Sequence, residues 1–548
     1  MLQKNKMSHL DALKNYRQLG SDLKAGVKGT FNLARALPQF FRERITVQQA
    51  EEEIKRMLAS REERFLELAR SRIYHNPGSP YLKLLKIAGC EFADLQAHVS
   101  THGLEATLER LAGEGVYLTA DEFKGKKKVE RGGKSFRVLT SDFEVQPSSP
   151  GFVSQSSGTN NQPLRYTYSL DLIRVLTFGQ AVFLSAHDLF SYSHALYDAI
   201  LPGIAAVSHL LYYARSGIIA ERWFARTVPE SRWPAASYHY INTYLVVLMG
   251  KLHDPVFPRP EFIGFQGIDR IVRWILQRRR EGRLCCILTA SSNAVRIART
   301  AMDMGASLRG TKFIVVGEPF TAAKREVTER VEAAAIPRYA FQEGGTVGYG
   351  CANPVGIDDV HAGTHMLGII AHPKPIFGAG ARIRPLLFTS LHSLFPRVFL
   401  NMANGDYANL EKRSCGCRLE KAGLTLHLHH IRSYEKFTSE GMSYFYGDLY
   451  EFFEKALPSE FGGGLGDYQL VEEEDDNGQT RLTLVVHPEV GAVDETKILL
   501  RLQERLSQGS SANRFQAKIW QDAGTLRVKR GVPHASARGK ILPLHISR

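Results

Sequence analysis

Cysteine is scarce in this chain, with six in 548 residues. So few thiols over such a length make no disulfide framework, which excludes the small secreted scaffolds and favours a reducing compartment. Uninterrupted apolar runs are missing too. The most apolar segment, LPGIAAVSHLLYYARSGIIAERWF at 201–224, is broken by Arg215 and Glu221. It is too short and too polar to span a bilayer and reads as buried core. The first twenty residues, MLQKNKMSHLDALKNYRQLG, hold no apolar run of the kind a secretory signal needs, so a cytoplasmic location is expected. Repeats at solenoid periods and the signatures of nucleic-acid-binding modules are absent as well. Acidic residues are the minority sign, 56 against 70 Lys and Arg, leaving a formal net charge of +14. That excess suits an anionic partner such as a phosphate ligand, an acidic protein or anionic lipid. The basic residues are dispersed, apart from KGKKKVERGGK at 124–134 and the N-terminal segment, and nucleic acid is not expected. The basic stretch LKAGVKGTFNLARALPQFF is read as a packing helix with solvated lysines in preference to a peripheral membrane contact.

What is present is an ordinary globular composition, 44% apolar and 23% charged, in a chain long enough for two or three domains. Residues 1–145 read as a helical N-terminal region packed on the main domain. Ile54, Met57, Phe65, Leu66 and Leu68 fall at helical spacing, and the prolines of YHNPGSPY close that run. Residues 124–150 are polar and charged, and a domain boundary or loop is expected there. In the span 146–430, RLCCILTASS and TKFIVVGEP read as strands. NAVRIARTAMDMG and FTAAKREVTERVEAAAI read as helices, the second with Thr321 at its N-cap. Strand and helix alternating over short connections predict a parallel sheet with ligands beyond its carboxyl ends, where Gly317–Pro319 lie. From 431 to 548 a small α+β unit is expected. It comprises a turn and helix in SYFYGDLYEFFEKAL, a hairpin turning at Asn477-Gly478, a helix near 492–508 and a last strand near 515–520.

One polar run, FVSQSSGTNNQPLRY at 152–166, clusters Ser, Thr and Asn around Gly158. Glycine lets backbone N–H groups approach phosphate oxygens, and hydroxyls add donors. No lysine follows at P-loop spacing. SSGTNNQP resembles the Ser/Thr-Ser-Gly-Thr-Thr-Gly-x-Pro loop of the adenylate-forming (acyl-CoA synthetase) superfamily. VVGEPF resembles the Gly-Glu-Pro strand end of its phenylacetate-CoA ligase and LuxE-like acyl-protein synthetase branch. GGTVGYGCAN is similar to the Tyr-Gly-x-Thr/Ser-Glu motif, and NMANGDYANLEKRSCGC to the segment holding Thr-Gly-Asp and then Cys-x-Cys. IRSYEKFTSEG resembles the Gly-Arg-x-Asp-Asp hinge, and RGVPHASARGKILPL the C-terminal Gly-Lys motif. The six segments occur in the family's order across 154–543.

The resemblance implies an α/β fold: a large multi-layer ATP-binding domain, a helical N-terminal region and a small mobile α+β C-terminal lid. It implies a ligase that uses ATP and Mg²⁺ to join a carboxylic acid to AMP and then passes the acyl group to a thiol. Ser156, Ser157, Gly158 and Thr159 would hold phosphates. Gly317, Glu318 and Pro319 would line the adenine pocket. Tyr349 would stack on the base, with Gly350 beside it. Asp406 would accept from both ribose hydroxyls, Arg432 would mark the hinge, and Lys540 would reach the carboxylate and α-phosphate. Where the family has its Mg²⁺-binding glutamate, the chain would carry Asn353, a weaker, neutral ligand for a hard cation. Asn161, Gln162 and Asn404 also depart from the pattern. Transfer to an amine, or a ligand-binding relative without turnover, stays open as an alternative.

His361 and His365, four apart, together with Cys415 and Cys417 form a donor set suited to a structural, closed Zn²⁺ site, and Cys351 is a further candidate ligand. The resembled branch carries Cys/His ligands at these places. The acceptor would be CoA, an acidic carrier protein or a protein cysteine. Phe183, Phe190, Tyr192, Tyr197, Tyr212, Tyr213, Trp223 and Phe224 suit either a hydrophobic acyl pocket or a buried helical layer.

Overall fold

The computed structural model describes residues 27–155, 165–226, 234–378, 381–445, 449, 451–508, 511–535, 541 and 543–546. The described part of the N-terminal region, from residue 27 to Phe123, is mainly helical as expected. The helix at 27–42 buries Leu33, Leu37, Phe40 and Phe41, so one face of it packs inward. Thr46 caps the helix Val47–Ala59, whose Ala50, Ile54 and Met57 are buried. The 124–150 segment is more ordered than its composition suggested. Val129–Arg131 pairs with Lys134–Phe136, Arg131 forms an ion pair with Glu122, and Phe143 stacks on Phe123 at 4.4 Å between centroids.

A large sheet organises the middle of the chain. Its strands in chain order are β1 (Ser193–Tyr197), β2 (Ala220–Ala225), β3 (Pro260–Phe262), β4 (Cys285–Ala290), β5 (Lys312–Val316), β6 (Ala334–Phe341), β7 (Gly345–Gly350), β8 (Val360–Ala362), β9 (Leu367–Ala371), β10 (Pro385–Ser390), β11 (Met402–Lys412) and β12 (Leu426–Ser433). In space they run β3-β2-β1-β4-β5-β6-β7-β8-β12-β11-β10-β9. The half from β3 to β6 is parallel, and the remaining pairs are antiparallel.

Alternation explains how β4 is buried along its whole length. Cys285 and Ile287 face a core shared with the helices Asp269–Arg280 and Ser291–Asp303. Cys286 and Leu288 face the core under Leu170–Ala186 and Ile204–Arg215. Successive strand residues point to opposite faces, so a parallel strand with helices on both sides is apolar throughout. The strand order reverses between β1 and β4, and the crevice there opens at the carboxyl ends of the strands. One expectation was too long. Thr321 does cap the helix, but that helix stops at Glu329. The tail of VEAAAI is the start of β6, because Glu332 at φ +60° turns the chain.

The C-terminal unit has a sheet of β13 (Tyr468–Glu474), β14 (Thr480–Val486), β15 (Leu526–Arg530) and β16 (Leu544–Ile546), ordered β15-β14-β13-β16. The hairpin about Asn477-Gly478 and the helix Glu495–Ser507 match the reading. The strand expected near 515–520 is instead the helix Ser511–Asp522. Its buried positions include Asn513, Gln516, Ala517 and Trp520, a helical spacing hidden because two of them are amides. Among the described residues no helix is long and apolar enough to cross a membrane.

Candidate active site

The site forms where β4, β5 and β6 end. Gly317 follows β5 at φ +90°, and a Cβ there would meet the Gly441 backbone at 3.0 Å, so the close approach requires glycine at this point. The loop Gly317–Pro319 lines a cleft with Tyr339, Asp358, Asp406 and Arg432. The Glu318 carboxylate itself turns away from it. Its Oε1 accepts from the Ser292 N–H at 2.7 Å, at the N-terminus of the helix Ser291–Asp303, where a negative charge is favourable. The backbone of this loop, rather than its acid, faces the cleft.

Asp406 is the most heavily bonded group in the cleft. β11 and β12 pair Asp406 with Ser433, and Ser433 donates to its Oδ1 at 2.6 Å. Oδ2 accepts from Tyr339 at 2.8 Å, Asn404 at 2.9 Å and Lys436 at 2.9 Å. Arg432, on the next residue pair, donates to Asp358 at 2.8 Å. A buried carboxylate held by this many donors is fixed in orientation.

Tyr349 is placed elsewhere. It is fully buried in β7, and a Cβ on Gly179 would lie 2.2 Å from its hydroxyl. Its ring lies in the layer beneath the helix Leu170–Ala186, away from the cleft. Gly350 approaches the Pro337 carbonyl, 2.6 Å from where its Cβ would be; the glycine serves strand packing. Asn353 is exposed and donates to the Cys415 carbonyl at 2.8 Å, so it is not a cleft residue either. The aromatic ring at the cleft belongs to Tyr339.

A second cavity of about 370 Å³ adjoins the cleft and shares Gly317, Arg338, Ala340 and Lys436 with it. Ser154, Tyr168, Asp198, His209, Tyr212, Gln342 and Glu343 also line it. Ser154 and Tyr168 belong to the hairpin Gly151–Gln155 with Arg165–Ser169, which flanks the polar run. This hairpin is tied to the neighbourhood of Glu343. Gln342 donates to Ser154 at 2.7 Å, Tyr168 donates to the Gln342 carbonyl, and Tyr166 donates to Glu343 at 2.7 Å. Ser156, Ser157, Gly158, Thr159 and Lys540 lie outside the described residues.

The C-terminal unit closes on the same strand ends. Glu440, fully buried, forms an ion pair with Arg296, and its carbonyl accepts from Arg226 at 2.6 Å. Asp198, at the end of β1, holds the other side of Arg226 at 3.0 Å.

A cysteine–histidine cluster lies apart from the cleft. Cys351, His361, Cys415 and Cys417 place their ligand atoms within 4.8 Å of one another. The His361 Nδ1 donates to the Leu424 carbonyl at 2.6 Å. That bond fixes the tautomer and turns Nε2 toward Cys417 at 3.1 Å and Cys415 at 3.5 Å. The Cys351 thiol and the His361 ring hold Cys417 well below the usual thiol range. Three sulfurs and one imidazole suit Zn²⁺, and with four protein donors the site would be structural. His365 is not part of it. The pair His361 and His365 would share a face on a helix, but His361 is in β8 and His365 in the turn after it. His365 is buried beside Arg64 and Arg61, where desolvation first and those charges second push its pKa down to about 3. Cys351 would take the fourth position.

No family model matches the chain, and no curated protein matches it. Solved structures do. A 2-hydroxyisobutyryl-CoA ligase, solved with 2-HIB-AMP and CoA in the thioesterification state, aligns over 89% of both chains with a TM-score of 0.52 at 13% identity. The chain shares the fold of that ligase. More distant are an o-succinylbenzoate CoA synthetase from Bacillus subtilis, with a TM-score of 0.39, 10% identity and coverage of 73% of this chain and 69% of that one, and the McyG A-PCP structure with phenylalanyl-adenylate, with a TM-score of 0.35, 11% identity and coverage of 80% and 73%.

With that fold, the position of Tyr339 shows what sequence reading overlooked. Residues 339–343, Tyr-Ala-Phe-Gln-Glu, repeat the spacing of Tyr-Gly-x-Thr/Ser-Glu, with Ala for Gly and Gln for Thr/Ser. The Tyr349-Gly350 pair, ten residues later, kept the more familiar dipeptide but lost the acid. In the structure the tyrosine at the cleft is followed four residues on by Glu343, which lines the adjoining cavity.

Proposed function

We propose that the chain activates a carboxylic acid with ATP. A carboxylate oxygen bonds to the α-phosphorus, the bond from that phosphorus to the β-phosphate bridge breaks, and pyrophosphate leaves with the electron pair. The acyl group then passes from AMP to a thiol. The observation that carries this reading is the convergence, at the carboxyl ends of the parallel strands, of the Gly317–Pro319 backbone, Tyr339, Asp406 and Arg432 on one cleft, with Glu343 in the cavity beside it.

In this reading the Tyr339 ring borders the base and Asp406 accepts from the ribose hydroxyls. Ser156, Ser157, Gly158 and Thr159 supply donors to the phosphates, from a segment whose flanking strands reach the cavity. Glu343 takes the place assigned to Asn353 and would hold Mg²⁺, whose charge offsets that developing on the phosphates. Lys540, from the C-terminal unit, reaches the carboxylate and α-phosphate. Arg432 marks the hinge about which that unit turns as a mobile lid. The ligase aligned over 89% of both chains is in its thioesterification state, and the contact of Glu440 and Gly441 with the strand ends is read as that thioester-forming arrangement. The branch is that of phenylacetate-CoA ligase and LuxE-like synthetases, in keeping with the Cys/His cluster, and the metal there would be Zn²⁺. The excess of positive charge, +14, supports CoA or an acidic carrier protein as acceptor. Lys540→Ala is expected to abolish acid-dependent pyrophosphate release while leaving the thermal midpoint unchanged; a variant that releases pyrophosphate at the wild-type rate would remove that residue from the mechanism.

A further inference from the structure

Arg338 and Tyr339 are successive residues of β6, so their side chains leave opposite faces of the strand. Tyr339 goes to Asp406 and the nucleotide cleft. Arg338 goes to His209, on the helix Ile204–Arg215, and to Thr346 on β7. Its guanidinium donates to the His209 Nε2 and, at 2.6 Å, to Thr346. The His209 Nδ1 in turn donates to the Ala205 carbonyl at 2.7 Å, and with Nε2 accepting from Arg338 the ring is neutral. The rings of Phe183 and Tyr349 lie 5.5 and 5.8 Å from the guanidinium carbon. Arg338 is 6% exposed, and its Nε has no hydrogen-bond partner.

Among the described residues the hydrogen-bond and ring partners of this cation are all neutral groups. Among the described residues no carboxylate forms an ion pair with it, although buried arginines are normally matched by one. Burial and the Arg338 charge also drive the His209 pKa well below its ordinary value, so that ring stays neutral beside the guanidinium. Of the acids lining the same cavity, Asp198 is engaged by Arg226 and Glu343 by Tyr166. Arg338, His209, Thr346, Ser208 and Tyr212 all line this cavity. A desolvated guanidinium with an unpartnered donor, at the wall of a cavity and leaving the strand face opposite Tyr339, is a site prepared for an anion that arrives with the ligand.

Resting on the adenylation reading for the identity of the site, we propose that the substrate is a dicarboxylic acid, activated at one carboxyl group while Arg338 holds the other. Arg338 is then the residue that selects the acid. An uncharged acyl tail would leave the cation desolvated and unmatched, whereas a second carboxylate completes it with a charge-assisted bond. A site built around such a bond rejects analogues that lack the partner group.

The test begins with direct binding, by calorimetry without ATP, of succinate, glutarate, adipate and phthalate against butyrate, valerate, hexanoate and benzoate. Wild-type protein is expected to bind at least one diacid roughly tenfold or more tightly than its monoacid counterpart. Arg338→Met is expected to lose that preference and to gain affinity for the monoacid, while Arg338→Lys, which keeps the charge without the fork, retains part of it. Should Arg338→Met not fold, the wild-type preference and the lysine variant decide. Equal affinity of wild type for diacids and monoacids, or absence of diacid binding, overturns the proposal. So does an equal loss for both classes in Arg338→Met, which would put Arg338 on the reacting carboxyl group. ATP-dependent pyrophosphate release with the same acids is scored separately. Diacid binding that depends on Arg338 without pyrophosphate release would refute adenylation and leave the anion site standing, and release with monoacids alone would do the reverse.

Discussion

Replacing Asp406 with Asn tests the nucleotide cleft at its most constrained point. The carboxylate side chain is 5% exposed and lies 2.9 Å from the Lys436 ammonium. Tyr339, Ser433 and Asn404 also donate to it. An asparagine of the same size keeps one acceptor, turns a second into a donor and removes the charge. Bonds to a charged acceptor contribute about 1.5–3 kcal/mol against roughly 0.5–1.5 for a neutral one. Over two ribose hydroxyls the difference is about 2 kcal/mol, or roughly 30-fold in ATP affinity. The Lys436 charge also loses its carboxylate, so some loss of stability accompanies the change. The assay is ATP binding by calorimetry with ATP and 2′-deoxy-ATP, each against wild type and Asp406→Asn. If Asp406 accepts from the ribose, removing the 2′-hydroxyl weakens wild-type binding more than it weakens the variant, because the two changes delete the same interaction. Asp406→Asn binding ATP within twofold of wild type, or an identical penalty for the deoxynucleotide in both proteins, would refute the assignment.

Other consequences can be checked as directly. Cys351→Ser and Cys417→Ser are expected to lower bound zinc, measured by mass spectrometry of the metal, and to destabilise the protein, whereas His365→Ala leaves the zinc content unchanged; zinc lost in His365→Ala and kept in Cys351→Ser would reverse the ligand assignment. Glu343→Gln is expected to weaken the Mg²⁺ dependence of pyrophosphate release by tenfold or more, on the order expected for losing a charged metal ligand, and Asn353→Ala to leave it unaltered; the opposite pattern would return the role to Asn353. His194 is fully buried, and desolvation lowers its pKa to about 4. Unfolding lets it take up a proton at any pH below its ordinary 6.5, so its contribution is complete above that value and is lost as pH falls toward 4. Over that window about 3 kcal/mol should disappear. His194→Gln should flatten the denaturant midpoint between pH 6.5 and 4, and equal slopes in both proteins would contradict it.

Much of this was legible in the chain itself. β4 and β5 could be read because parallel strands covered on both faces leave runs such as CCIL and FIVV. Gly317 and Asp406 could be read because VVGEPF and NMANGDYANLEKRSCGC each resemble a motif of one superfamily and occur in its order. Three features were not. The helix Ser511–Asp522 buries Asn513 and Gln516, and hydrophobic periodicity does not register buried amides. The fourth ligand, Cys351, is 64 residues from Cys415 in sequence and meets it only through the pairing of β7, β8 and β12, whereas His365, four residues from His361, lies in the turn after β8. The tyrosine of the cleft was hidden by chemistry. On the reading proposed above, Ala340 and Gln342 stand where the motif usually has other residues, while the Tyr-Gly pair ten residues on lies in the core.

The central claim, adenylation of a carboxylic acid, is most directly met by one measurement. Purified protein is incubated with ATP, Mg²⁺, hydroxylamine and a panel of mono- and dicarboxylic acids, and pyrophosphate and acyl hydroxamate are quantified together. The account predicts pyrophosphate and hydroxamate in equal amounts with at least one acid, AMP as the nucleotide product, and nothing in the absence of acid. Release of inorganic phosphate with ADP, or no product with any acid while ATP still binds, would contradict it.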